Sequence, residues 1–379
     1  MLTEASRRRS FPSLEQMTYL NTAAEGIPPL EVHAAMNRYF EDKQAGMDGR
    51  DAHAAEYQAV KSLTGRLYGL AADDIGICSC SSEAYNLAAL ALHLQPGDEV
   101  IINDLDFPAG STPWLQPSSP ATVHVWRARD GGLRVEDLVP LLSSKTRIVT
   151  VSLVSFFNGY RIPLPAVVEA VRRHSDALLA VDVTQALGRI PLDLTGVDLI
   201  VSSTHKWILA SHGGGLVGVP GERAPDLTVP AGGWFNLEDP FGSERFATAT
   251  SKPGAASFSV GMPNYPAVYA IRAGLEYILR IGVETIDEVA HPLVRQCLEG
   301  LQELPVELLT PDEPDAIAGI LAFRHPAQDA LQRQLHANGI HVMGKAGRIR
   351  VAVHGYNTAA DIDRFLNALA GALRNVAAA

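Results

Sequence analysis

Residues 178–206, LLAVDVTQALGRIPLDLTGVDLIVSSTHK, decide the fold. Two short runs within it, Leu178 to Val181 and Leu199 to Val201, are rich in Leu, Val and Ile and carry no polar residue. Runs of that length and character are strands of a parallel sheet, covered on both faces. Each gives way to residues that can do chemistry: Asp182 to Gln185 after the first, Ser202 to Lys206 after the second. In open α/β sheets ligands bind beyond the carboxyl ends of the strands, so both turns fall where a site is built.

Working outward, short β-branched runs alternate with helical-period segments from about Asp73 to Val219. Further strands are predicted at Ile75 to Cys80, Glu99 to Asn103, Thr122 to Trp126, Arg147 to Leu153 and Gly215 to Val219. Helices are predicted at Glu83 to Leu94, Val135 to Leu142 and Pro163 to His174. The class is therefore α/β, with a mostly parallel seven-stranded sheet sandwiched by helices. Farther on, Pro263 to Ile281 and Glu284 to Leu304 read as long helices, followed by strand Ile317 to Phe323, helix Ala327 to Asn338 and strand Arg348 to Val353. These last elements suggest a smaller α+β unit. At 379 residues the chain exceeds the usual size of one hydrophobic core, and it is expected to divide near residue 260. The Gly- and Pro-rich stretch from Gly221 to Ala256 lacks periodicity, and long loops of that kind are more often functional than idle. It is expected near the active site or at a subunit contact.

Composition narrows the function. The chain is 47% hydrophobic and 19% charged, as an ordinary globular protein is. Its formal charge of −11 argues against nucleic acid or an anionic membrane as a partner. Met1 to Arg9 carries three arginines with no long apolar run behind them, so no secretory signal is expected, and a cytoplasmic home follows. The three cysteines, Cys78, Cys80 and Cys297, have neither disulfide-framework nor metal-site spacing, and no metal is expected. Cys78 and Cys80, two apart in an apolar stretch, are expected as small buried side chains on one strand face.

Four short segments carry candidate chemistry. Lys206, in Ser202-Ser203-Thr204-His205-Lys206-Trp207, follows a strand end where an amine can be desolvated and made nucleophilic toward an aldehyde. Ser203, Thr204 and His205 are donors suited to a phosphate. Asp182 ends a strand where a carboxylate can pair with a pyridinium N–H, and Gln185 can hydrogen-bond a phenolic oxygen. Ser81 and Ser82 sit where a strand breaks into a helix, whose first N–H groups and dipole favour an anion. Phe107, just past another strand, can lie on a flat ring. Taken singly each has a plainer role: a surface lysine, a helix cap for Asp182, an N-cap for Ser81 or Ser82, a core phenylalanine.

Together, in the order phosphate cup, ring stacker, acid, lysine, these segments resemble the class V aminotransferase family. That is the branch of fold-type I pyridoxal 5'-phosphate (PLP) enzymes that includes cysteine desulfurases, selenocysteine lyases and isopenicillin N epimerase. The supporting residues run from Tyr19-Leu20-Asn21-Thr22-Ala23-Ala24 through Ser81-Ser82-Glu83, Asp182 to Gln185 and Ser203 to Lys206, to Arg350 to Thr358. The resemblance implies a large PLP-binding domain of residues 20–260 and a small domain of residues 1–19 plus 261–379. It implies that Lys206 is the Schiff-base lysine and proton shuttle and that Asp182 pairs with the pyridine nitrogen. Gln185 meets the phenolic oxygen, and Phe107 takes the stacking place that desulfurases usually give to histidine. Ser82, Ser203 and His205 are implied as phosphate ligands with Ser81 close by, and Arg350 as the grip on the substrate carboxylate, a task suited to a bidentate guanidinium. Asn21 and the backbone near Ala23 are expected to line the substrate pocket, and a homodimer with active sites at the interface is implied.

Three departures bear on the reaction. Residues 341–348, HVMGKAGR, lack the nucleophilic cysteine that desulfurases carry before the arginine strand, so sulfur transfer through an enzyme persulfide is not expected. Gly261-Met262-Pro263-Asn264 stands where many relatives carry a threonine that reaches the neighbouring subunit's phosphate, and Asn158 in Ser155-Phe156-Phe157-Asn158-Gly159 has no assigned role. The resulting expectation is a PLP-dependent transferase or lyase acting on an α-amino acid through an external aldimine and a quinonoid. Transamination and β-elimination of the C–S lyase type stand equal, with epimerisation or racemisation, or a catalytically silent binding protein of this fold, as alternatives. A nucleotide-binding reading of Gly213-Gly214-Gly215 fails, because the run lacks the G-x-G-x-x-G spacing.

Overall fold

The apolar runs become strands because helices cover them on both sides. The computed structural model describes residues 3–313 and 315–377; Met1 and Leu2 of the amino-terminal stretch lie outside them. The chain opens with α1 (Glu4–Ser10), β1 (Thr18–Tyr19), α2 (Leu30–Gln44) and α3 (Arg50–Tyr68). The central α/β region holds β2 (Ile75–Cys78), α4 (Ser81–Ala91), β3 (Glu99–Asn103), α5 (Pro108–Ser111), β4 (Thr122–Trp126), α6 (Val135–Leu138), β5 (Thr146–Ser152), α7 (Leu164–His174), β6 (Leu178–Asp182), β7 (Leu199–Ser203) and β8 (Gly215–Gly218). The remainder is α8 (Tyr265–Ile281), α9 (Val283–Gln302), β9 (Glu307–Leu308), β10 (Ile320–Arg324), α10 (Gln328–Ala337), β11 (Ile340–His341), β12 (Met343–Lys345), β13 (Arg348–Ala352) and α11 (Ala359–Ala377).

Seven strands form the main sheet in the order β2-β8-β7-β6-β5-β3-β4. Only β8 runs antiparallel to its neighbours, β2 and β7, so β2 and the other five strands all point the same way. Side chains alternate strictly between the two faces. Ile101, Val149, Val151, Leu179, Val181 and Ile200 fill one core, while Val100, Ile102, Ile148, Leu178, Ala180, Leu199 and Val201 fill the other. Each of the buried Val, Leu and Ile side chains contributes about 1.5–3 kcal/mol. A second sheet, β12-β13-β10-β9, is antiparallel and packs one face on α9, α10 and α11 through Leu321, Phe323, Ile349, Val351, Val294, Leu331 and Phe365. Its other face, bearing Ala322, Arg350 and Ala352, turns toward the main sheet. The amino terminus is tied to this second region, because β1 pairs with β11.

The predicted elements fall close to their expected residues, with two corrections. β6 and β7 run past their predicted ends to Asp182 and Ser203, so Asp182 ends its strand as expected and Ser203 ends β7 rather than lying in the turn. β2 stops at Cys78, and Cys80 becomes the N-cap of α4 with extended backbone; it is exposed, not buried on a strand face as expected. Cys78 and Cys297 are buried. Helices α2, α3 and α11 were not among the predicted elements. Among the described residues no helix is long and apolar enough to cross a membrane.

Candidate active site

Because β2 and the parallel strands share a direction, their carboxyl ends converge on one edge. Ser152 ends β5, Asp182 ends β6 and Ser203 ends β7; Ser81 and Ser82 start the helix after β2, and Phe107 follows β3. A cavity of about 410 Å³ opens there. It is lined by Ala23, Ser81, Ser82, Phe107, Asp182, Gln185, Ser203, His205, Lys206 and, from β13 across the cavity, Arg350. Asn21 is the expected residue that does not line it: its backbone bridges to Ala352 and its Oδ1 is buried without a hydrogen-bond partner.

Lys206 is buried, with its Nζ 5.2 Å from the centroid of the Phe107 ring. Burial pulls its pKa down from 10.5 to about 8; Asp182 opposes that shift and Arg350 adds to it. An amine with a lowered pKa is partly neutral near physiological pH and can act as a nucleophile or base. The turn carrying it is clamped from outside. Gly26 donates its N–H to the His205 carbonyl at 2.8 Å, and a Cβ on Gly26 would sit 1.9 Å from the Lys206 carbonyl oxygen. Only glycine allows that approach.

Asp182 feels opposing influences. Burial raises its pKa, while the Thr184 N–H, donating to Oδ1 at 2.7 Å, and nearby Lys206 favour the charged form. Asp106, half-buried with its Oδ2 covered and unpartnered, is pushed up to about 7 by desolvation despite a hydrogen bond from Ser152. Gln185 is fixed by a chain of contacts. His354 accepts the Gly355 N–H on Nδ1 at 2.7 Å, and burial drives its pKa down to about 3, so its single proton resides on Nε2 and is donated to the Trp207 carbonyl at 2.9 Å. Trp207 Nε1–H donates to Gln185 Oε1 at 2.6 Å, and indole nitrogen can only donate. Gln185 therefore presents its NH₂ group inward, with one hydrogen on the Ala23 carbonyl at 3.1 Å.

At the other end of the cavity, α4 begins with no side-chain cap at its N-terminus. The Ser203 hydroxyl donates to Ser81 Oγ at 3.0 Å, drawing β7 and α4 together around that helix start. His205 stacks on His212 with centroids 4.5 Å apart, and burial, then Lys206 and His212, lower its pKa to about 4. It stays neutral at pH 7 and keeps one N–H to donate. Uncapped helix N–H groups, the hydroxyls of Ser81, Ser82 and Ser203 and a neutral imidazole make an anion cradle.

Arg350 lies on the β13 face that looks into the cavity. Its Nη1 donates to the Phe156 carbonyl at 2.8 Å, its Nε is buried without a partner, and burial followed by Arg348 lowers its pKa to about 10. The cavity also holds residues that were not singled out from sequence: Cys80, Ser152, Phe156, Thr184, Met343, Lys345 and Arg348. Arg348 was legible in principle, being two residues before Arg350 on a strand and so on the same face. Elsewhere, Asn158 is committed to backbone, donating to the Gly131 and Leu309 carbonyls at 2.7 and 3.1 Å and accepting from the Tyr160 N–H. Asn264 caps α8 and donates to the Gly213 carbonyl at 3.3 Å. Gly215 opens β8 rather than a helix, which disposes of the dinucleotide motif. No residue of the Gly221 to Ala256 stretch lines the cavity.

Comparison with known proteins adds a family. The model described as Aminotransferase class-V matches residues 18–365. An uncharacterized aminotransferase of Bacillus subtilis is 27% identical over 366 residues, covering 96% of each chain. The apo cysteine desulfurase of Thermococcus onnurineus NA1 superposes with TM-score 0.89 at 21% identity over 99% of each chain. C-DES, a cystine C–S lyase solved with its product cysteine persulfide, superposes with TM-score 0.86 at 22% identity over 95% of this chain and 99% of its own. A mutant of C-DES has glycine covalently linked to its PLP cofactor.

Proposed function

We propose, from the premise that this chain belongs to the aminotransferase class-V family, that it is a PLP-dependent transferase or lyase acting on an α-amino acid. The cavity fits that cofactor in its donor chemistry. The cradle of Ser81, Ser82, Ser203 and His205 suits a phosphate, and Asp182 stands within electrostatic reach of the amine of Lys206. PLP, when bound, supplies an electron sink for charge developing at a substrate carbon.

The remaining work falls to side chains of this chain. Lys206 would hold the cofactor through its amine and would hold or return the proton at the substrate Cα. Its lowered pKa suits both tasks. Asp182, charged against burial by the Thr184 N–H, would hold the pyridine nitrogen. Gln185 would donate to the phenolic oxygen through the NH₂ group that Trp207 leaves facing inward. Phe107 would cover the ring face. Arg350 grips the α-carboxylate and so orients the Cα–H bond toward Lys206. Ala23 bounds the substrate side.

Residues 20–260 form the cofactor-binding unit in this reading, and residues 1–19 with 261–379 form the unit that carries Arg350. The active form is a homodimer, with the Gly- and Pro-rich stretch and its exposed Phe241 and Phe246 at the contact. The reaction is transamination or β-elimination of the C–S lyase type. The β12–β13 hairpin, Met343 to Arg348, has no cysteine, which speaks against a persulfide carried on that loop.

One observation carries the reading: a buried amine of lowered pKa beside a carboxylate at the carboxyl edge of the sheet. Replacing Lys206 with Ala is expected to abolish turnover and the borohydride-reducible attachment of the cofactor to the chain. A pyridoxyl adduct still formed on the chain of that variant would assign the cofactor to another lysine. Screening amino acids and cysteine conjugates for keto acid, pyruvate and ammonia separates transamination from elimination.

A further inference from the structure

The cavity carries more positive charge than the proposed chemistry uses. Its charged lining consists of Asp182, Lys206, Lys345, Arg348 and Arg350. Asp182 and Lys206 face the cofactor and Arg350 is assigned to one carboxylate, which leaves Lys345 and Arg348 unmatched. Both sit on the Arg350 face of the second sheet. In the β12–β13 ladder Met343 pairs with Arg350 and Lys345 with Arg348, so these four side chains share one surface while Ile349 enters the core behind.

Arg348 is a built feature rather than a stray surface charge. It is 7% exposed, and its guanidinium lies over the Phe157 ring at 4.2 Å from the centroid and 5.5 Å from that of Phe156. Stacking fixes the plane of the group but satisfies none of its five N–H donors. Its Nε is buried with no partner, and among the described residues neither Arg348 nor Lys345 makes a side-chain hydrogen bond or an ion pair. Arg324, directly across the ladder from Arg348, is engaged with Glu307 at 3.4 Å and offers no compensating acid. A buried, unpaired guanidinium is costly unless an anion arrives.

We propose that the substrate carries a second anionic group on its side chain, held by Arg348 and Lys345 while Arg350 holds the α-carboxylate. This rests on the functional reading above and narrows it to amino acids with a carboxylate, sulfinate or phosphonate side chain. Arg348 and Arg350 are spaced by roughly 7 Å along the strand. That separation suits two anions of one small molecule better than a single carboxylate shared between them.

The test compares ligands with and without the second negative charge. Cofactor-loaded enzyme is titrated with aspartate against asparagine and glutamate against glutamine, following the visible band. Glutarate is compared with butyrate by thermal shift, which needs no chemistry. The anionic member should bind about 10- to 100-fold more tightly, as charge-assisted hydrogen bonds to a buried arginine require. Arg348→Gln should bring that ratio close to one, and Lys345→Gln should lower it severalfold. Should Arg348→Gln fail to fold, Lys345→Gln, which alters an exposed hairpin residue, decides alone. Equal binding of charged and neutral members by the wild type, or a ratio untouched by the foldable variants, overturns the proposal. Loss of the functional reading looks different: no cofactor band on Lys206, while the glutarate-to-butyrate ratio still reports on the second anion.

Discussion

The two sides of the cavity are finished to different degrees. On the main-sheet side a set of polar groups is already mutually engaged: Ser203 with Ser81, Thr184 with the Ser203 N–H and Asp182, Gln185 with Trp207 and Ala23. On the second-sheet side Arg348 and Arg350 each keep a buried Nε with no partner. The difference teaches how the division of labour is built. In the proposed reading, several groups assigned to a resident cofactor are fixed by internal hydrogen bonds, whereas the arginines assigned to a transient substrate are left with donors free for the anion it would bring.

Substitutions on either side sharpen or break that contrast. On the engaged side, Asp182→Ala should lower kcat by about 10²- to 10³-fold, the usual loss when one preorganised electrostatic partner is removed. Cofactor content should fall far less, since the phosphate cradle is intact; unchanged turnover would remove the electron-sink role. On the waiting side, Arg350→Gln should appear chiefly in KM and lower kcat/KM by about 10- to 100-fold. A pure kcat effect would mean that Arg350 is not a substrate-binding group.

The amine between the two sides can be probed by pH. Lys206 must be neutral to condense with an aldehyde, and its pKa is lowered to about 8, so at pH 7 about a tenth of it is free base. Stopped-flow loading of apoenzyme should therefore accelerate roughly tenfold as pH rises from 7 and level off above about pH 9. A rate still climbing past pH 10 would mean an amine not desolvated as described. The smallest effect is expected from Trp207→Phe. It strips Gln185 Oε1 of its donor inside the protein, and a loss of about 1–3 kcal/mol of stability should show in chemical denaturation. Unchanged stability would mean that Gln185 is not held by that contact.

The main sheet was readable from sequence because both faces of its strands are buried. Continuous apolar runs ending in polar residues mark such strands, and β3 and β4 fall on their predicted residues. Helices α2 and α3 were not: α2 buries only Val32 and Ala35, with Met36 and Tyr39 half-covered, and the buried face of α3 mixes Tyr57, Val60 and Tyr68 with His53, Glu56, Lys61 and Thr64, which blurs the apolar period. Helix α11 does carry a local signal, Thr358 and Asp361 bonding each other's backbone at its start, yet it follows the strand too closely for the apolar pattern alone to separate them. The site was legible where its residues follow strands in short motifs. The network from His354 through Trp207 to Gln185 was not, because its members are 147 and 22 residues apart and meet only in the fold. Cys80 was misread for a local reason: the strand ends two residues before it, and that turn exposes the thiol.

Reduction of the cofactor-loaded enzyme with borohydride, followed by digestion and mass spectrometry of the peptide containing Ser203-Thr204-His205-Lys206, tests the central claim most directly. The label is expected as a single pyridoxyl adduct on the Lys206 nitrogen. An adduct on any other lysine, or none at all in protein that retains the cofactor, would contradict the account.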